Sequence, residues 1–488
     1  MQLSSLNSRP IVWYTSGTII RQVASLIMLP VYTSYLKPEE YGVIALLSII
    51  LGVYELFLGA RFGAALPKFY YDLKTFEERA SLVSTALLFT ASFSVLGSIG
   101  FASSSQIISI YLFERSELTT LVAFFSVTLT TSSIEEYSLI YLRLREKPFY
   151  FFISSIFKLL LQLSSNIYLI VYLEEGLAGF IYASIISSSI MSLLLGAYTL
   201  CNTGLYFVIG TISSLWRYCW PLWTAGFFSI YITLATNFII KFFCSLEELG
   251  LYHFALKFSS LLTVLVWQPF NQWWQVERFK VYDTSTTPSA EFGTAFTIIF
   301  CIMLTGVVCI SLSSPTLISL MADPSYFDAL YLIPYLCVLS LFAALGLFVR
   351  FPLLKFGATK LIPKIVLLNA SLVTLFVPAS AYFFGIKGVV ISLMLIRAAD
   401  FLITYFCGQK FFSQDISLTI VLLGVFLTLI YLILILEWSI TYKLQLNQLY
   451  IQLSCVLIFA VAVIVSLFSK KNVRFSIVKF FRERVLSD

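Results

Sequence analysis

Charge is what this sequence has least of. Asp, Glu, Lys and Arg together make up 11% of its 488 residues, and histidine occurs once. Soluble domains carry about 25% charged residues, so the chain falls outside that class. There is no HExxH, Walker or GxSxG pattern, and the polar breaks are short, which leaves no recognisable soluble catalytic centre. The eight cysteines include no CxxC pair, most lie inside apolar runs, and only Cys244 falls near an outer surface. They indicate neither a disulfide frame nor a metal site and read as small apolar packing residues. Nothing in the sequence calls for a cofactor.

What is abundant is apolar surface: 59% of residues are hydrophobic and the mean hydropathy is +0.92. Runs of about 20 residues, long enough to cross a hydrocarbon core of roughly 30 Å as helices, recur along the chain. The reading is an all-α polytopic membrane protein with 14 transmembrane spans: 11–34, 41–60, 81–102, 119–141, 149–172, 177–199, 220–243, 249–273, 291–313, 331–351, 362–384, 388–408, 417–437 and 448–468. The first run has Arg21 in its middle and no small-residue cleavage site after it, so it reads as a span and not as a signal peptide.

Basic residues set the orientation. With residue 1 cytoplasmic, 22 of the 31 Lys and Arg residues fall on the inner side, four (Lys37, Arg115, Lys387, Lys443) on the outer side and five within spans. That is the positive-inside pattern with both termini cytoplasmic, and the net charge of +6 suits topology and anionic lipid better than nucleic acid.

Two short stretches recur. E-E-x-G followed by an aliphatic residue occurs at 39–43 and 247–251, an offset of 208, and GLAG at 176 returns as GIKG at 385, an offset of 209. Pro38 before two acids is also ordinary helix-start chemistry. Two echoes at nearly one offset, both opening even-numbered spans on the outer face, nevertheless argue for two copies of a six-helix unit. Six is even, so the copies are parallel, with an axis along the membrane normal and the substrate between them. The expected organisation is an N-terminal lobe at 1–200, a cytoplasmic linker at 201–219, a C-terminal lobe at 220–410, and spans 13 and 14 with a basic tail at 411–488.

LPVYTSYLKPEEYGVIALL (29–47), FIIKFFCSLEELGLYHFALKFSSLL (238–262), WQPFNQWWQVERF (267–279) and YFFGIKGVVISL (382–393) carry a resemblance over nearly the whole chain. The sequence resembles the polysaccharide transporter family, the Wzx-type O-antigen flippases of the multidrug/oligosaccharidyl-lipid/polysaccharide exporter superfamily. The resemblance implies two six-helix lobes around a central cavity. It also implies a cargo, an undecaprenyl-diphosphate-linked oligosaccharide for O-antigen, lipopolysaccharide or capsule, moved across the bacterial inner membrane. A polysaccharide polymerase and a chain-length regulator are the protein partners it suggests.

The intramembrane charges can be read separately. Each costs about 2.5 to 3.5 kcal/mol at the bilayer centre, so each needs water or a partner. Five bases stand inside spans: Arg21, Lys158, Lys241, Lys257 and Arg397. Arg397 has Asp400 at i+3, which suggests an ion pair on one helix. Lys241 is near the outer end of its span and either snorkels or faces the cavity. Arg21 and Lys257 lie deep. Polar stripes at helical spacing accompany them: Tyr14, Thr18, Arg21, Ser25, Met28 and Tyr32 on span 1; Ser48, Gly52, Glu55 and Gly59 on span 2; Ser229, Thr233, Asn237 and Lys241 on span 7; His253, Lys257, Ser260, Trp267 and Asn271 on span 8. Span 5 carries another, Ser155, Lys158, Gln162 and Ser165, and small hydroxyl residues on a face commonly serve helix packing.

The expected cargo site is therefore cationic: Arg21, Lys257, Lys241, Ser25, Asn237 and Asn271. Arg offers a planar fork to phosphate oxygens and Lys a point charge. Glu55 is an acid for ion coupling or a counter-ion to a base. Asp400 is a second coupling candidate, and His253 is either a proton carrier or a satisfied polar residue. The Trp residues of 267–274 stack on sugars or anchor the interface. A drug or cation antiporter would be expected to have a more acidic cavity. A membrane polymerase or glycosyltransferase would need a large outer loop, and the longest outer segments here are each about one short helix long with no DxD.

Overall fold

A computed structural model describes residues 28–58, 65–358 and 361–441, and every regular element among them is helical. In chain order these are α1 (Leu29–Tyr35), α2 (Pro38–Leu58), α3 (Leu66–Asp72), α4 (Phe76–Ser103), α5 (Val127–Leu144), α6 (Pro148–Asn166), α7 (Gly176–Thr203), α8 (Ile209–Phe243), α9 (Leu246–Leu262), α10 (Gln268–Thr284), α11 (Pro288–Met321), α12 (Ile333–Val349), α13 (Leu361–Gln409) and α14 (Leu418–Thr441), with short helical pieces between several of them. Among the described residues, eight helices are long and apolar enough to cross a membrane, and Ile230–Phe243 and Leu418–Ile430 are shorter apolar stretches. The chain is a multi-pass membrane protein. Most of the expected span 1, and all of span 14, lie outside the described residues.

Local chemistry explains the helix ends. Thr75 and Glu78 form a full capping box at the start of α4, and Pro at the first or second position opens α3, α6, α11 and α12. Three glutamates, Glu114, Glu146 and Glu174, take positive φ at turns between helices. Gly385 breaks α13 into the two expected spans, with φ 59° and ψ −150°. Single π-helical turns at Ile108–Leu112, Ile167–Tyr172 and Thr263–Trp267 interrupt the helical period.

The described chain forms two compact units, Met1–Asn237 and Phe238–Asp488. In the first, α4, α5 and α7 pack together. At its basic end they enclose an apolar cluster of Leu66, Tyr70, Leu82, Val83, Tyr137 and Tyr141, which Leu215 and Cys219 of α8 join. In the second, α12 packs between α9, α11 and α13, and Phe296, Phe348 and Phe401 fill the interior.

Both sequence echoes have structural counterparts. Before α2, the Glu40 carboxylate accepts the Lys37 backbone N–H at 2.9 Å; before α9, the Ser245 hydroxyl accepts the Glu248 backbone N–H at 3.0 Å. These are the two halves of a capping box: before α2 only the acid half can form, since Lys37 has no side-chain acceptor, and before α9 the Ser245 half is present. In the second echo, Gly176 and Gly385 both have positive φ, 49° and 59°. The fourth residues, Gly179 and Gly388, both lie where a Cβ would press on a carbonyl of the preceding helix, that of Leu169 or Ser380. GxxG is thus a tight hairpin: one glycine for the turn and one for close backbone approach.

Candidate functional site

The intramembrane charges are the features a cargo or a coupling ion would meet, so the site is built from them. Arg21 and Ser25 lie outside the described residues. Glu55 is on α2, with its side chain outside the description. The near end of the span 1 stripe is packed: Met28 is buried, and Tyr32 accepts a 2.7 Å hydrogen bond from the Asn166 amide at the end of α6.

Lys158 has a partner that the sequence reading missed. Its Nζ donates to both carboxylate oxygens of Glu135, at 2.9 and 2.7 Å, and Glu135 is 5% exposed. The signal was present in the sequence. Helices α5 and α6 form an antiparallel pair turning at Glu146, and Glu135 lies eleven residues before that turn and Lys158 twelve after it. Equal counts from one turn put the two side chains at one level. Glu136, the other acid of that EE pair, is exposed.

In the second unit Asp400 is 4% exposed and takes a 2.6 Å hydrogen bond from the Asn369 amide. The expected i+3 ion pair with Arg397 is not formed. Asp400 instead points toward Gly346 of α12, where a Cβ would lie 3.5 Å from its Oδ2. Arg397, one turn away, is half-buried. Helix geometry permits an i+3 contact, but the space beside a glycine and the amide donor on the first half of α13 decide the orientation.

His253, Lys257 and Ser260 are half-buried on α9, while Tyr252, Phe254, Ala255, Phe258 and Ser259 beside them are buried. The polar stripe therefore stays on the least covered face. It does not continue to Trp267, which is 3% exposed and packs against Phe270 at 5.8 Å between ring centroids. The π turn Thr263–Trp267 intervenes, and a wider turn rotates everything after it off a 3.6-residue stripe. Asn271, beyond that turn, is half-buried. On α8, Asn237 is 2% exposed and donates to the Thr233 carbonyl at 2.7 Å. Lys241, near the helix end, places Nζ 5.0 Å from the centre of the Phe242 ring. Among the described residues no group of three or more His, Cys, Asp and Glu side chains is arranged to hold a metal.

Among the described residues each unit thus buries a carboxylate with a direct donor, and α9 carries a half-buried cation. The sequence matches the family described as "Polysaccharide biosynthesis protein" over residues 33–321, more than half of its length. The chain belongs to that family. Its fold is similar to that of a solved structure described as "Lipid II flippase MurJ, inward closed conformation", with a TM-score of 0.71 at 14% identity, covering 94% of this chain and 99% of that one. It is also similar to an inward-facing multidrug resistance MATE family transporter of the MOP superfamily, with a TM-score of 0.61 at 15% identity over 82% of this chain and 97% of that one. A third likeness is to a MOP superfamily transporter from Pyrococcus furiosus Vc1 described as having reverse polarity of its binding pocket, with a TM-score of 0.51 at 15% identity over 83% and 94%. Among curated proteins none matches. At these identities the likeness establishes the fold alone, one that the chain shares with that flippase and those transporters.

Proposed function

We propose that this polysaccharide biosynthesis protein is a flippase. It carries an undecaprenyl-diphosphate-linked oligosaccharide from the cytoplasmic to the outer leaflet of a bacterial inner membrane by alternating access, with both termini cytoplasmic. The observation that carries the reading is a polysaccharide biosynthesis family membership on a fold shared with a lipid II flippase. Lys257, half-buried on the least covered face of α9, supports the cationic site, with Arg21, Lys241, Ser25, Asn237 and Asn271 as its further members and Glu55, Asp400 and His253 as coupling groups. The lobes alternate in opening to the two sides, the bases hold the diphosphate, and the sugar follows it. The bilayer lipid is the medium, and a polymerase and a chain-length regulator act on the product.

The test is surface-glycan complementation in a flippase-deleted cell, with protein levels checked by blot. A charge-assisted contact contributes about 1.5 to 3 kcal/mol, so Arg21→Ala or Lys257→Ala weakens cargo binding by roughly one to two orders of magnitude. Lys257→Glu is worse than Lys257→Ala. Normal export by Arg21→Ala and Lys257→Glu together would remove the cationic-cavity reading. A drug or cation antiporter is the second reading, favoured by the MATE likeness and by the buried acid Asp400, whose direct donor is neutral. Under it, deleting the gene raises drug susceptibility and leaves surface glycan intact.

A further inference from the structure

Between α7 and α8 the chain runs through residues 204–208 without helix. Gly204 ends α7 at φ 76°, where a Cβ would lie 2.9 Å from the Tyr206 ring, so glycine is needed for this turn. Two buried hydroxyls of α4 then hold the backbone. Ser84 Oγ donates to the Gly204 carbonyl at 2.8 Å and accepts the Tyr206 N–H at 3.0 Å. Thr85 Oγ1 donates to the Tyr206 carbonyl at 3.2 Å and accepts the Val208 N–H at 3.1 Å. Alternate residues of an extended segment are thus satisfied by side chains, as a neighbouring strand would satisfy them.

The side chains of the segment are left exposed. Leu205 is 76% exposed, Tyr206 48%, Phe207 55%, Val208 45% and Ile209 76%, five successive apolar residues that are all exposed. In water a loop's backbone is solvated freely, and an apolar strip of this kind is unfavourable. Toward lipid the requirements invert: apolar side chains are welcome, and backbone polar groups withdrawn from water need protein partners, which Gly204, Tyr206 and Val208 have here. Position agrees. Ser84 and Thr85 lie five and six residues beyond Arg79, about 8 to 9 Å along α4 at roughly 1.5 Å per residue. The exposed stripe of α7, Ile186, Ile190, Leu193 and Leu194, runs toward the segment, and Trp216 and Arg217 are exposed shortly after it.

We propose that residues 205–209 are a membrane-embedded strap. They lie in the boundary between headgroups and acyl chains on the basic side of the bilayer, with Ser84 and Thr85 as the dedicated backbone partners that permit this. The connection following α7 is on this account a lipid contact and not a free aqueous linker. The inference concerns the surface facing lipid and is independent of the cargo.

The experiment uses the full chain with Phe207→Cys, and with Lys74→Cys, in an exposed loop, as the water reference. A membrane-impermeant maleimide is applied to open membrane sheets, then to purified protein in vesicles of phosphatidylethanolamine and phosphatidylglycerol, with the labelled site located by peptide mass spectrometry. The strap predicts labelling of Phe207→Cys at least about tenfold slower than the reference in both settings, reaching the reference rate in denaturing detergent. Adding Ser84→Ala and Thr85→Ala should speed it several-fold, because a backbone without partners leaves the lipid. Equal rates in native membranes would overturn the proposal in favour of an aqueous linker. Slow labelling in native membranes with the reference rate in vesicles would overturn it in favour of a protein partner. If the hydroxyl variants do not accumulate, the Phe207→Cys comparison decides alone.

Discussion

The two units bury a carboxylate each and answer it differently. Glu135 in the first meets a base, Lys158, so the pair is closed and nearly neutral. Asp400 in the second meets an amide, Asn369, so its nearest donor brings no charge. Arg350 reaches it only through longer-range electrostatics. A buried oxygen needs donors first; whether it also needs a counter-charge depends on what else shares its surroundings. The first arrangement is a fixed strut. The second holds its carboxylate by a neutral donor alone.

Removing half of the strut is the strongest way to break this comparison. Lys158→Met should leave Glu135 buried without its partner and cost about 3 to 5 kcal/mol, read as a fall in thermal unfolding temperature in detergent. Lys158→Met with Glu135→Leu should restore most of it. If the single variant unfolds at the wild-type temperature, the pair is not structural. The equivalent cut in the second unit, Asn369→Leu, should cost less, about 1 to 3 kcal/mol, because only a neutral donor is lost.

The paired hairpins offer a smaller contrast. At Gly179 a Cβ would lie 3.0 Å from the Leu169 carbonyl oxygen, and at Gly388 the approach of the Ser380 carbonyl is closer still. Gly388→Ala should therefore destabilise more than Gly179→Ala, each within about 1 to 3 kcal/mol, by the same unfolding measurement. Equal effects would mean that the two turns differ only in the way their neighbours relax. The smallest expected change sharpens the capping contrast: Lys37→Ser should complete a capping box on α2 and stabilise by about 0.5 to 1 kcal/mol, whereas Ser245→Ala should lose a comparable amount.

Several of these features were legible in the sequence. The EExG and GxxG echoes carried their own chemistry, because caps and tight turns depend on residues a few positions apart. Trp267 was misplaced because one π turn, which has no reliable sequence mark, breaks the period on which a stripe depends. Asp400 was assigned to Arg397 because an i+3 neighbour is visible in sequence, whereas Gly346 and Asn369 are 54 and 31 residues away. Glu135 was passed over because the EE pair recurs five times and only one of its two acids turns inward.

What the sequence alone determined is that this chain crosses a membrane as helices and repeats a turn and a hairpin. Both follow from apolar length and short-range hydrogen bonding. What only the tertiary structure decided is which oxygen meets which donor: Glu135 with Lys158, Asp400 with Asn369, and the backbone of 204–208 with Ser84 and Thr85. Helical periodicity fixes the direction a side chain takes from its own axis, but the partner depends on how helices far apart in sequence pack, where a missing Cβ or one wide turn redirects the contact.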